Sequence, residues 1–145
     1  AEPAQSLVHR DVLTSNRATH VARRARENVE FLASTDPWFR PVNFYVGPDG
    51  AIYLVDYYRL MVEHPEWTAT HTHHSPDLYK GDDRGRIYRI TPESRLPFPG
   101  KIQLGQATTE QLVQQLASPN IWWRRTAQRL LVDRGSADDP SGNAE

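Results

Sequence analysis

The chain has 145 residues, 24% of them charged, and a formal net charge of −1. That length bounds it to one ordinary domain or pieces of two, and the near-neutral balance argues against a nucleic-acid or polybasic membrane role, which needs a net or clustered positive field. The absence of cysteine excludes disulfides, thiolate metal sites, cysteine nucleophiles and c-type haem attachment within this chain, and no apolar run approaches the ~20 residues of a membrane span.

The amino end, "AEPAQ", shows neither an initiator methionine nor a signal-peptide pattern, so the expectation is either that something has been removed upstream or that this is an internal piece of a longer protein. Eleven prolines and eight glycines suit a turn-rich, mainly β body. "SLVHRDVL" (Ser6 to Leu13) and "ATHVARRA" (Ala18 to Ala25) are candidate strands with a turn at "TSNR" between them. His9 and His20 lie in these strands as ordinary residues. The basic runs at Arg23–Arg26 and Trp122–Arg129 read as solvated faces, the first interrupted by Glu27 and Glu30, the second spread by helical spacing. "ENVEFLAS" fits either a helical turn or an extended segment, which periodicity does not separate at this length.

The clearest element is "WFRPVNFYVGPDGAIYLVDYY", Trp38 to Tyr58. Val42, Phe44 and Val46 alternate with Asn43 and Tyr45, the period-2 signature of a strand with one face buried. "GPDG" then turns the chain, with Pro48 fixing φ and Gly50 accepting positive φ. Ile52, Leu54 and Asp56 alternate with Tyr53, Val55 and Tyr57 in a second strand of β-branched and aromatic types. Glu63 to Asp83 is polar and rich in His and Pro, a loop long enough to be functional or mobile. "GRIYRI", Gly85 to Ile90, is a third strand, followed by a proline-rich exit.

Beyond it the pattern is helical. Thr108 and Gln111 fit a capping box, and Leu112, Val113 and Leu116 form one apolar stripe. Ser118 is the expected cap of a second helix with Pro119 at its first position. Trp123, Ala127, Leu130 and Leu131 make its apolar face, and Gly135 is the expected stop. The tail from residue 136 is small, polar and acidic, and disorder is expected there. Strands first and helices last imply a β body followed by an antiparallel helical hairpin, not an alternating α/β sheet.

On these residues, "STDPWFRPVNFYVGPDGAIYLVDYYRLMVEHPEW" and "GDDRGRIYRI" resemble the final propeller blade of glucose/sorbosone-dehydrogenase-like quinoproteins. More specifically, they resemble the membrane-bound dehydrogenases common in planctomycetes and verrucomicrobia. "TTEQLVQQLASPNIWWRRTAQRLLVDRG" resembles the start of the HEAT-like repeats that follow the propeller there. The resemblance runs from about Leu7 to Gly135. It implies a partial β-propeller over residues 1–100, a helical hairpin over 101–135 and a tail over 136–145. It also implies an extracytoplasmic, periplasmic-type protein whose parent uses pyrroloquinoline quinone (PQQ), with calcium, on a sugar or alcohol. The implied partners are the rest of the propeller, further helical repeats and a cytochrome c domain as electron acceptor.

In the family, arginines ahead of the matching strand reach the quinone. Arg40 occupies one such place, while Trp38 departs from the pattern at the other. The general-base histidine and most quinone and calcium contacts belong to earlier blades, so no catalytic residue carries over. Chemically, a guanidinium pairs bidentately with a carboxylate, of which the quinone has three; the plainer expectation pairs Arg40 with Asp36 or Asp56. Asp56, inward beside Ile52 and Leu54, must be paired or hydrogen-bonded, with strand stitching ahead of a site role. "HTHH" (His71, His73, His74), near His64, offers imidazoles for zinc or copper, but its spacing fits no helix-borne pair and favours a solvated loop. Trp123 is expected to pack inward and Trp122 to flank it, an exposed Trp122 marking a docking surface. Two functions follow as expectations. One is a quinoprotein-dehydrogenase part inactive in isolation; the other is a non-catalytic module binding a protein or carbohydrate. A free-standing β-plus-helix domain is the third, weaker alternative.

Overall fold

A computed structural model describes residues 1–67, 75–94 and 100–138. Its strands are β1 (Leu7–Val8), β2 (Asp11–Asn16), β3 (Thr19–Arg24), β4 (Leu32–Ala33), β5 (Pro41–Val46), β6 (Ile52–Asp56) and β7 (Arg86–Ile90), followed by helices α1 (Thr109–Gln115) and α2 (Ile121–Asp138). The chain is thus β-rich with two C-terminal helices, and the strands form small sheets in the orders β1-β4, β2-β3 and β5-β6-β7.

The first expected strand divides in two at His9-Arg10. Its second half continues through "TSN", because Thr14, Ser15 and Asn16 pair with Val21, His20 and Thr19. The turn is therefore only Arg17-Ala18, with Arg17 at φ 54°, the left-handed conformation that two-residue hairpin loops require. "ENVEFLAS" is extended. The Phe31 N–H donates to the Val8 carbonyl (3.1 Å) and the Ser34 N–H to the Ser6 carbonyl (3.1 Å), placing β4 antiparallel to β1.

In the β5–β6 hairpin, the Gly47 N–H donates to the Ala51 carbonyl (2.8 Å) and the Gly50 N–H to the Gly47 carbonyl (3.0 Å). Gly50 has φ 77° as the turn demands. Gly47 is required for space instead, since a Cβ there would collide with the Tyr53 ring. One expectation is corrected: the Val42–Phe44 face of β5 is not buried. These side chains are 42% and 46% exposed, because no described element covers them, although alternation alone reads as a half-buried strand. Inward burial falls on Leu54 and Asp56 of β6. The expected loop contains 3-10 turns at Pro65–Trp67 and Pro76–Leu78. His71, His73 and His74, considered as metal ligands, lie outside the described residues.

The chain divides into two compact units, one of Ala1–Phe44 with Leu54–Tyr88, the other of Tyr45–Tyr53 with the described residues from Arg89 onward. Val8, Phe39, Pro41 and Leu54 are buried in the first. In the second, Leu104, Leu112 and Ala127 form the centre, with Trp122, Trp123, Leu130 and Leu131 packed against it. The α1 capping box is as expected, the Gln111 N–H donating to the Thr108 hydroxyl and the Thr108 N–H to the Gln111 side chain. Of the α1 stripe, however, only Leu112 is buried, and Val113 and Leu116 face outward. One short helix presents only a narrow line of contact to a single neighbour.

The start and stop of α2 also differ from expectation. Asn120, not Ser118, caps it: the Asn120 side-chain oxygen accepts the Trp122 N–H (2.9 Å), while Ser118 accepts the Asn120 N–H a turn earlier (3.3 Å). Pro119 therefore precedes the helix. Gly135 does not end it, and α2 runs through to Asp138. An interior glycine costs only ~1 kcal/mol, and Gly135 is not among the glycines with positive φ.

Candidate functional site

The most chemically dense cluster of the first unit gathers around Asp56. This carboxylate is 1% exposed, at the end of β6. One of its oxygens accepts the main-chain N–H of Arg40 (2.8 Å) and of Tyr58 (3.0 Å), and the other accepts Nε of Arg86 (2.7 Å). Arg86, from β7, also donates to Asp36 (3.2 Å), whose other oxygen accepts the Trp38 N–H (2.9 Å). That N–H bond, aided by Arg86 against the opposing effect of burial, holds the Asp36 carboxyl below its ordinary range. The Arg86 guanidinium lies 3.8 Å over the Tyr58 ring, and Trp38 packs on Tyr58 at 5.5 Å. Tyr58 adopts φ 52°, and its N–H bond to Asp56 supports that left-handed backbone, which is uncommon outside glycine.

The Arg40 guanidinium does not make the plainer expected pair with Asp36 or Asp56. It donates to four main-chain carbonyls, those of Arg59 (3.0 Å), Leu60 (2.7 Å), Pro3 (2.9 Å) and Ala4 (3.2 Å). Only the Arg40 main-chain N–H reaches Asp56, and the guanidinium that pairs with Asp36 and Asp56 is that of Arg86. Arg40 therefore ties the amino end to the segment after β6. Arg59 acts likewise, donating to the carbonyls of Gly81 and Arg84 while lying 4.3 Å over the Tyr57 ring.

The second unit holds a parallel arrangement at the turn of "GPDG". Asp49 accepts Nε of Arg89 (2.7 Å), the Tyr53 hydroxyl (3.1 Å) and the Ala51 N–H (3.1 Å). Burial raises its carboxyl, but these three donors outweigh burial and leave it below the ordinary range. The start of α2 grips the same turn. The Asn120 amide donates to the Gly47 (3.0 Å) and Pro48 (3.1 Å) carbonyls, and the Trp123 indole donates to the Pro48 carbonyl (2.9 Å). Trp122 is half-buried, edge-on to Trp123 at 5.2 Å, so it is part of this packing and not a free stacking surface.

Residues 1–94 match the model of a family described as a domain of unknown function (DUF7133). The chain belongs to that family. The match takes in the seven strands found among the described residues and ends before α1 and α2. No curated protein and no solved structure matches the chain.

One cluster of the DUF7133 domain escaped sequence reasoning. His9 stands between two carboxylates, Nδ1 2.6 Å from Glu30 and Nε2 2.8 Å from Asp11, and Glu30 also pairs with Arg24. With both ring nitrogens facing acceptors, the imidazolium is the form that satisfies them. The Glu30 bond, then the Asp11 bond, raise the His9 pKa above its ordinary value, and the His9 bond depresses that of Glu30. Only the "H-x-D" spacing hints at this; Glu30 arrives through the β1–β4 pairing.

The linkage has a definite sign. The raised His9 pKa gives stability that is full below the ordinary histidine value near 6.5 and is lost as pH rises through the folded value. The depressed Glu30 pKa gives stability that is present above its ordinary 4.5 and lost as pH falls through its folded value. His9 is expected to titrate above the ordinary histidine range by NMR, and Glu30→Gln is expected to return it toward 6.5. An unshifted wild-type titration would remove this cluster from the account. Among the described residues no group of three or more His, Asp or Glu could hold a metal ion.

Proposed function

We propose that this DUF7133 domain is a non-catalytic, partner-binding part of a quinoprotein-dehydrogenase-like β-propeller protein, with HEAT-like helices after the sheet. The supporting observation is how its cations are used. Arg40 and Arg59 are committed to main-chain carbonyls, and Arg86 and Arg89 to carboxylates. Four of the five Arg40 N–H donors are engaged by fixed carbonyls, so this guanidinium has no free pair of donors to offer an anionic cofactor as a fork. The exposed Val42 and Phe44 supply apolar surface of the kind a partner covers. The quinone chemistry, periplasmic setting, calcium and cytochrome c partnership belong, on this reading, to the parent protein and rest on the sequence resemblance.

The test is titration of the purified chain with pyrroloquinoline quinone and calcium, followed by tryptophan fluorescence and sugar-dependent dye reduction. Neither saturable quenching nor turnover is expected. Saturable quinone binding that Arg40→Gln abolishes would make Arg40 a cofactor ligand and restore the enzymatic alternative.

A further inference from the structure

We infer that the β2–β3 ribbon is a docking arm for an extended, acidic polypeptide segment of a partner protein. Every residue of both strands is exposed, and no third strand pairs with the ribbon among the described residues. An isolated two-stranded hairpin is marginal in water, so its stable setting includes a cover. The register places Val12 and Val21 on one face and Leu13 and Ala22 on the other. Leu13 is 65% exposed and Val12 48%, giving apolar contacts on both sides.

The root of the arm is fixed. The Ala25 N–H donates to the Arg10 carbonyl (3.0 Å), His9 bridges Asp11 and Glu30, and Arg24 pairs with Glu30. A rooted ribbon presents its outer strand edges in a set direction, and an open edge is a template for strand addition.

Charge selects the occupant. Residues 10–26 hold five arginines against one aspartate, in a chain whose net charge is −1. Arg24 is used at the root, whereas Arg17 at the tip and Arg23 on the Val12–Val21 face have no partner among the described residues. An acidic strand that alternates carboxylates with apolar residues meets all three features: edge hydrogen bonds, the valine face and the unpaired arginines. Nucleic acid meets only the last, since phosphates neither pair with a strand edge nor cover valine and leucine.

This proposal rests on the partner-binding reading, and its test is separable from it. A fluorescein-labelled nonapeptide alternating valine and glutamate is titrated against the full chain by anisotropy, with its lysine-for-glutamate counterpart and a 20-base-pair DNA duplex as comparators. The glutamate peptide is expected to bind saturably and shift the amide resonances of residues 11–24. Arg17→Glu with Arg23→Glu is expected to weaken it about tenfold or more while leaving the melting temperature unchanged. Absence of saturable binding, equal binding of the lysine peptide, indifference to the double substitution, or tighter binding of DNA would each overturn the proposal. Quinone binding would overturn the partner-binding reading and leave the peptide result standing.

Discussion

Asp56→Ala is expected to destabilise the domain by roughly 3 kcal/mol, the lower end of what removing one partner of a buried ion pair costs. The carboxylate is buried and accepts three donors, two of them main-chain N–H groups that have no other acceptor in the set described around it. Truncation leaves those donors unsatisfied and the Arg86 guanidinium without its closest counter-charge. The lower end applies because the Arg86 side chain is 35% exposed, so water recovers part of its solvation. Asp56→Asn keeps one oxygen for the two N–H groups and is expected to cost clearly less. Urea unfolding of the three proteins checks the order. An alanine variant within 0.5 kcal/mol of wild type, roughly the range of neutral surface substitutions, would show that the cluster contributes little to folding. Loss of Tyr58's positive-φ geometry should accompany the large effect, because the Asp56 bond supports that backbone.

The second large effect is expected at Asn120. Asn120→Ala removes the cap of α2, worth about 1 kcal/mol, and the two amide bonds to the Gly47 and Pro48 carbonyls, for a total of about 2 kcal/mol. Asn120→Asp separates the two roles. It preserves the cap oxygen but turns the amide donor into an acceptor facing two carbonyls, so it should recover little of the loss. Thermal melts of the three proteins provide the measurement. Full recovery by aspartate would mean that capping alone matters and that the grip on the turn contributes nothing.

The legible and illegible parts of this protein divide along range of interaction. The hairpin and its turn were readable because Pro48, Gly50 and the alternation act within a few residues. The α1 capping box was readable for the same reason. Ser118-Pro119 is as good a local start signal as Asn120, and what distinguishes Asn120 is its bonds to the Gly47 and Pro48 carbonyls, more than 70 residues away. Gly135 reads locally as a stop because glycine often ends helices, but the helix carries the ~1 kcal/mol penalty and continues. In the sequence Arg86 and Arg89 are legible only as strand residues. Their carboxylate partners lie 30 and 40 positions earlier in the chain.

Taken alone, then, the sequence determined the order of elements, the β-rich body with its C-terminal helices, the tight turn at Gly47–Gly50 and the need for Asp56 to find partners. Local sterics and capping chemistry dictate those features whatever surrounds them. Only the tertiary structure decided which arginine meets which carboxylate, that Arg40 binds carbonyls, that His9 bridges Asp11 and Glu30, and that the Val42–Phe44 face and the β2–β3 ribbon stand exposed. Those outcomes depend on which distant segments pack together, and strand period records that a face is apolar without recording what covers it.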